Sequence, residues 1–402
     1  MEKLTYKTQK ELIEYSIKNE IPFEEILSKN GLDYNSLVYS DEAKIEDFSF
    51  SEFTPVNERK PVASNIPCVS FFSGAGGLDL GFKYAGFETI FDVEINEMFC
   101  NTLRANGAKK VLGPPDFSGN MQDFEAVIAR LEEEGLEKNF KGVFHGGPPC
   151  QSFSIAANQR FSKDGENFKR TGFMHEKYGS LLFCYINIII HFMPETFLIE
   201  NVDGLLTIDG GIQVQKACEL LGKSGYSVAA PQVINAADFG VPQKRMRTII
   251  VGSRKGKFIF PNKILNHIPS GSVFTSPIAS SVSNIPRNHK AESLMRYMIL
   301  EFGQRDKLGR VDRLNPILPS KTIIAGGTGG GGRSHLHPFI PRTMTVRECA
   351  RLQTFPDDYV FTGPVARQFT QVGNAVPPLL GYELACAIYN SIYEKKSEAI
   401  AS

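Results

Sequence analysis

Cys150 closes the run Gly146-Gly147-Pro148-Pro149-Cys150-Gln151-Ser152-Phe153-Ser154, directly after the apolar pair Val143-Phe144. Two glycines and two prolines fix the backbone where a buried strand gives way to a turn. A thiol held at such a strand end, in a chain without a disulfide pattern, is a candidate nucleophile. A buried structural cysteine is the other reading of the same turn, and the neighbours decide between them. Glu200 ends a second apolar run, Thr196-Phe197-Leu198-Ile199, and brings a carboxylate to the strand edge where α/β proteins bind ligands. Arg245 and Arg247 stand two apart before Thr248-Ile249-Ile250-Val251. If both begin that strand, alternation puts their guanidinium forks on one face, able to hold phosphate, carboxylate or a base edge.

A glycine-rich turn accompanies these groups. Ile66 to Phe72 reads as a buried strand, followed at once by Ser73-Gly74-Ala75-Gly76-Gly77-Leu78-Asp79-Leu80-Gly81. Glycine suits a backbone that must approach a ligand closely. Glu94 ends the next strand, Glu88 to Val93, and an acid there can hydrogen-bond a ribose diol. The GxGxxG spacing of nicotinamide enzymes is absent, since Asp79 stands at the sixth place.

The elements that must position these groups alternate. Further strands are expected at 142–145, 196–199, 228–234 and 248–251, and helices at 97–106, 124–134, 181–191 and 213–224. This alternation predicts an α/β fold with a doubly wound, mostly parallel, Rossmann-like sheet. From about 254 to 342 it stops, and proline, serine and glycine clusters suggest a smaller domain. The glycine run 326–332 lacks the Lys-Ser/Thr of a P-loop. Thr345 with Glu348 makes a capping box for a following helix, and a last helix is expected over 379–393. Residues 1–60 read as a separate helical extension and linker. Two short helices there suit a docking element better than a DNA reader, because 13 acidic and 8 basic residues give 1–60 a charge of 8 − 13 = −5.

The whole chain of 402 residues carries 44 basic and 44 acidic side chains, but unevenly: 241–351 holds 19 Lys/Arg and 5 Asp/Glu, so 19 − 5 = +14. A basic C-terminal third is the footprint of a phosphate-binding face. Seven scattered cysteines, without a CxxC pair or a Cys/His cluster at metal spacing, suggest reduced thiols and no structural metal. No signal segment opens the chain and no apolar run is long enough for a bilayer, so a cytoplasmic protein is expected.

From Ile66 to Tyr393 the chain resembles the cytosine-5 DNA methyltransferases. The strings that carry the resemblance are Phe72-Ser73-Gly74-Ala75-Gly76-Gly77, Pro148-Pro149-Cys150-Gln151, Glu200-Asn201-Val202, Gln243-Lys244-Arg245-Met246-Arg247, Arg347-Glu348-Cys349-Ala350-Arg351-Leu352-Gln353 and Gly373-Asn374-Ala375-Val376-Pro377-Pro378, in the family's linear order. The nearest type is the bacterial modification enzyme of a restriction system. The resemblance implies the S-adenosylmethionine-dependent methyltransferase fold: a catalytic and cofactor-binding domain over 61–254, a smaller target-recognition domain over 255–342, and a return to the large domain over 343–402. It implies that Cys150, presented by Pro149, attacks carbon 6 of cytosine, that Glu200 manages the proton at ring nitrogen 3, and that Arg245 and Arg247 fix the base. S-adenosyl-L-methionine would rest on Phe72, Gly74, Gly76 and Gly77, with Glu94 at the ribose, Asn374 adding a contact, and Asn120 or Asp123 at the adenine. The partner is double-stranded DNA, with the base flipped out of the duplex, the enzyme a monomer, and a restriction endonuclease acting on the same site. Residues 155–178 match the family's closing loop. Ser70 departs from the family, which often has an acid there. Relatives with the same strings methylate tRNA, and a catalytically silent DNA-binding regulator is a further alternative. Base readers within 255–342 would come from Arg287, Asn288, Arg296, Arg305 and Arg310.

Overall fold

The computed structural model describes residues 3–50, 53–63, 65–149, 181–279, 282–325 and 335–394. Cys150 and the loop 155–178 lie outside the described residues, as does the glycine run 326–332. The chain divides into two compact units. One comprises 1–55, 240–245 and 265–375; the other comprises 56–239, 246–264 and 376–402.

The chain opens with α1 (Tyr6–Asn19), capped by the Thr5 hydroxyl, and α2 (Phe23–Lys29). The second unit is then built on one sheet. Its strands are β1 (Ile66–Phe71), β2 (Phe87–Val93), β3 (Val111–Leu112), β4 (Val143–Gly146), β5 (Thr196–Val202), β6 (Ser227–Val228), β7 (Gln232–Asn235) and β8 (Met246–Ser253). The order is β3-β2-β1-β4-β5-β8-β6, with β7 also on β8. The pairs from β3 to β5 are parallel, whereas β8 runs antiparallel to β5, β6 and β7. The expected 228–234 strand is two, because Pro231 cannot donate to a ladder.

Connecting helices are α3 (Gly77–Tyr84), α4 (Glu97–Ala105), α5 (Phe124–Glu133), α6 (Leu181–Phe192) and α7 (Ile212–Lys223). Alternation along the strands sends successive side chains to opposite faces. Val69, Phe71 and Phe144 join α5, α6 and α7 in one continuous core. From the other face of the same strands, His145 meets Phe82 of α3, ring centroids 4.3 Å apart. Helices therefore cover both faces, which explains why the strands are apolar almost throughout. The final helix, Pro378–Ile388, packs on α3.

The first unit does not contain the expected free-standing extension. Ile13, Phe23, Ile26, Leu27, Tyr34 and Leu37 share one buried cluster with Leu294, Met298, Val311 and Leu336, in which α8 (Ala291–Tyr297) packs on α1. The stretch expected as a linker is anchored as well. The fully buried Arg313 lies between the rings of Tyr39 and Phe302, 3.6 and 3.8 Å from their centroids, and its fork meets both oxygens of Asp41 at 2.6 and 3.2 Å. Phe48 adds ring contacts to Phe50, Phe302 and Phe339. Local composition could not reveal this, because Phe302, Arg313 and Phe339 all lie more than 240 residues away. The same unit holds α9 (Val346–Leu352), with the expected Thr345–Glu348 capping box, and α10 (Val365–Asn374).

Candidate active site

The candidate groups come from the neighbouring ends of β4 and β5, where Gly146 pairs with Ile199 in parallel register. Glu200 follows Ile199, and its carboxylate packs directly over Gly147: a Cβ built on that glycine would sit 2.7 Å from Glu200 Oε2. Any larger residue there would make the carboxylate shift. Asn201 Nδ2 donates to the Pro148 carbonyl at 3.0 Å, tying the strand end to the proline turn. Pro148 is buried and Pro149 exposed, immediately before Cys150. Across β8, Arg247 stands opposite Val202, and its Nε reaches Glu200 Oε1 at 2.6 Å. Both side chains are almost buried, so this ion pair is held in one geometry and weakly screened.

Arg245 does not join them, which corrects the expected pair of forks on one face. The strand begins at Met246, so alternation does not extend to Arg245. Its guanidinium is buried in the first unit and donates to the carbonyls of Ile323 at 3.3 Å and Gly373 at 2.9 Å. That role is to hold backbone.

The glycine turn follows β1. Phe72 and Gly74 adopt positive φ of 53° and 57°, and Gly76, also left-handed, precedes the first residue of α3, Gly77. A Cβ on Gly74 would meet nothing nearer than 3.9 Å, so the turn leaves open space beside its backbone. Gly74 N–H donates to Glu94 Oε2 and Asn96 N–H to Glu94 Oε1, each at 2.8 Å. Burial raises the Glu94 carboxyl above its ordinary range, against the pull of the backbone N–H groups of Asn96, Gly74 and Ile95. Each carboxylate oxygen keeps a lone pair, so Glu94 can still accept hydroxyl donors. The third loop lies against the same acid, since a Cβ on Gly119 would collide with the Glu94 carbonyl at 2.1 Å. Asn120 follows, its Oδ1 accepting from Gln122 N–H at 3.1 Å, while Asp123 caps α5 through Ala126 N–H. That cap commits one Asp123 oxygen to the helix. Asn374, exposed, ends α10 in the first unit.

Sequence reasoning passed over Ile95, exposed immediately beside Glu94, and the buried polar groups Asp79, Asp92 and His145 beneath the turn. An apolar residue directly after a strand-end acid was the available signal for the first. The others became visible only through strand register. Among the described residues no group of His, Cys, Asp and Glu has the arrangement of a metal site.

A family model for C-5 cytosine-specific DNA methylases matches residues 66–390. The chain belongs to that family. Type II methyltransferase M1.HphI of Haemophilus parahaemolyticus is 32% identical over 361 residues, covering 81% of this chain and 87% of that protein. Type II methyltransferase M.NgoFVII of Neisseria gonorrhoeae is 32% identical over 363 residues, covering 83% and 90%. The Entamoeba histolytica methyltransferase EhMeth shares the fold, with a TM-score of 0.58 at 16% identity over 82% of this chain and 99% of that one. This C-5 cytosine methylase is thus a DNA methyltransferase enzyme, and the site just described falls within the matched segment. Among the described residues no helix is long and apolar enough to cross a membrane.

Proposed function

We propose that this C-5 cytosine methylase modifies one cytosine in a short duplex DNA sequence through a covalent adduct at Cys150, as the modification enzyme of a type II restriction system in the cytoplasm. The observation that carries the reading is the Glu200 carboxylate, packed over Gly147 and paired with Arg247 at 2.6 Å, next to the turn that leads into Cys150. Carbon 5 of cytosine is a weak nucleophile and needs activation. The Cys150 thiolate adds to carbon 6, and the electron pair of the 5,6 double bond becomes available at carbon 5. Glu200, as the acid, protonates or hydrogen-bonds ring nitrogen 3 while charge develops there, and Arg247 fixes the carboxyl that does so. S-adenosylmethionine supplies the electrophilic methyl group. Carbon 5 then gives up its proton to a base, the 5,6 double bond re-forms, Cys150 leaves as thiolate and ring nitrogen 3 returns to Glu200 the proton it took, so that the enzyme is regenerated.

The residues present suit that cofactor. In the turn of Phe72, Gly74, Gly76 and Gly77, Gly74 offers open backbone, Glu94 offers a carboxylate for the ribose hydroxyls, and Asn120 offers an amide. The base must leave the duplex, at about a few kcal/mol, to reach a thiol at a strand end. Residues 255–342 serve as the target-recognition domain. Arg287, Arg305 and Arg310 are exposed there, and Arg296 lies half-buried beside Asp306. Asn288, whose amide donates to Glu24 at 3.0 Å, is the fifth candidate reader. The enzyme acts as a monomer alongside an endonuclease of the same specificity.

Bisulfite sequencing of DNA from a methylation-free host expressing the protein tests this, with Cys150→Ala as control. The expected result is protection confined to one cytosine of one repeated sequence and absent in the control. Protection of tRNA alone would replace the DNA substrate, and no protection by soluble, cofactor-bound protein would leave a silent DNA-binding regulator.

A further inference from the structure

Three neighbouring strands place polar side chains in one row where apolar ones would pack. Ser70 of β1 pairs in register with Asp92 of β2 on one side and with His145 of β4 on the other. All three are at most 2% exposed. The first turn of α3 covers them with Asp79, itself buried. Ser73, which opens the glycine turn, donates to Ser70 Oγ at 2.8 Å, and Ser73 and Asp79 are both close enough to act on the Asp92 carboxyl.

Two carboxylates cannot hydrogen-bond each other, because both only accept; one must carry a proton. Counted as ions, both oxygens of Asp79 are buried without a donor. A proton on Asp92 supplies the missing donor. His145 is not the alternative. Its Nε2 is 3.9 Å from Asp79 Oδ1, beyond a hydrogen bond, and burial lowers its proton affinity more than Asp79 raises it. Burial, then the Asp79 charge, pushes the Asp92 carboxyl well above its usual range, in agreement with the geometry. The other titratable groups facing the pair are Glu94 and Cys68, and burial keeps the Cys68 thiol protonated.

We propose that Asp92 and Asp79 form a buried carboxylic acid–carboxylate pair that positions the glycine turn and Glu94 for S-adenosylmethionine. The pair joins the three pieces that make the turn: the start of α3 through Asp79, the turn through Ser73, and the end of β2 two residues before Glu94. Ionisation of Asp92 sets two like charges in contact, and the joint between α3 and β2 opens. The inference rests on the reading of this turn as the cofactor site. Asp79 and Asp92 are positioning residues.

The test compares wild type with Asp92→Asn and Asp92→Ala. Difference infrared spectra of the cofactor-free protein at neutral pH should show a protonated-carboxyl band present in wild type and missing in Asp92→Asn. Equilibrium dialysis with S-adenosylmethionine should show wild-type affinity falling as pH rises. Asp92→Asn, whose amide still donates to Asp79, should bind within about 3-fold of wild type at neutral pH and lose that pH dependence. Asp92→Ala should bind about tenfold or more weakly, the scale of a lost hydrogen bond to a charged group. An unchanged band, or an Asp92→Asn protein with the wild-type pH dependence, overturns the proposal. If Asp92→Ala does not fold, Asp92→Asn and the band decide. Wild type that shows the band but does not bind S-adenosylmethionine would overturn the cofactor reading and the positioning role, while leaving the shared proton in place.

Discussion

At the scale of single residues, the site depends on how little room there is at Gly147. Gly147→Ala inserts a methyl 2.7 Å from Glu200 Oε2, whose other carboxylate oxygen is held by Arg247 at 2.6 Å. The carboxylate must shift, and a carboxyl displaced by about 1 Å can lose roughly a hundredfold in rate. Single-turnover methyl transfer should fall by that order, with S-adenosylmethionine affinity unchanged because the glycine turn is untouched. Glu200→Gln should lower the same rate constant while keeping the bulk, since an amide cannot pass a proton. Equal loss in cofactor binding would show that the residue merely supports the fold. The glycine turn and the proline turn were legible as structure because each follows a short apolar strand, β1 and β4. Arg245 misled because its role is set by carbonyls 78 and 128 residues away, Ile323 and Gly373, which no spacing rule connects to it.

At the scale of elements, the sheet and the two N-terminal helices were readable, and the packing of the N-terminal segment was not. The parallel strands are mostly apolar, the buried Ser70, Asp92 and His145 aside, and the helices between them show amphipathic or apolar runs, so period and length identify them. Strand β3 escaped because two residues carry no period. The stretch 40–60 escaped for another reason: its acidic, serine-rich composition resembles a linker, yet Asp41 and Phe48, with Tyr39 just before it, are partners for Arg313, Phe302 and Phe339. Asp41→Ala should therefore destabilise the first unit. Arg313 would stay buried with its stacking and its carbonyl partners Pro338 and Leu300 but without a counter-ion. Because Asp41 is 40% exposed, solvent screening reduces the cost to about 1–2 kcal/mol rather than the larger value of a fully buried pair. Urea unfolding should show that loss. Deleting residues 1–50 removes one wall of the cluster around Ile13 and Leu294, and should leave 265–375 aggregated rather than trimmed. A folded, active truncation would return the segment to the status of an accessory.

For the whole molecule, charge by sequence overstates charge at the surface. Of the 19 basic residues between 241 and 351, Arg245, Arg313, Arg342, Arg347 and Arg351 are buried and bind carbonyls or acids within the fold. Several of these buried cations surround histidines, which gives the first unit a specific acid response. Burial, with Arg287 and Arg342, lowers His289 from 6.5 to about 4, and its neutral Nε2 accepts from Thr343 N–H at 3.2 Å. Burial likewise takes His337 from 6.5 to about 3 against the opposing Glu348, and its Nδ1 accepts from Phe339 N–H. Burial opposes ionisation of Glu348, but the Arg342 fork at 2.7 and 2.9 Å overcomes it and holds this acid at about 2. A depressed histidine stabilises fully above its unfolded value and loses that contribution as pH falls. Stability of this unit should therefore decline from about pH 6.5 downward, and again below 4.5 as Glu348 loses its advantage. Asp92, in the other unit, has the opposite sign: its raised folded value means stability is lost as pH rises above 3.8. Hydrogen exchange read by mass spectrometry at pH 7.5 and 5, corrected for intrinsic rates, separates the two. Between those values, protection of 285–300 and 335–345 should drop, while protection of 66–94 should hold or rise. His289→Gln should remove part of the first change and none of the second. A uniform loss across both segments would mean that net charge governs the acid response and these buried groups do not.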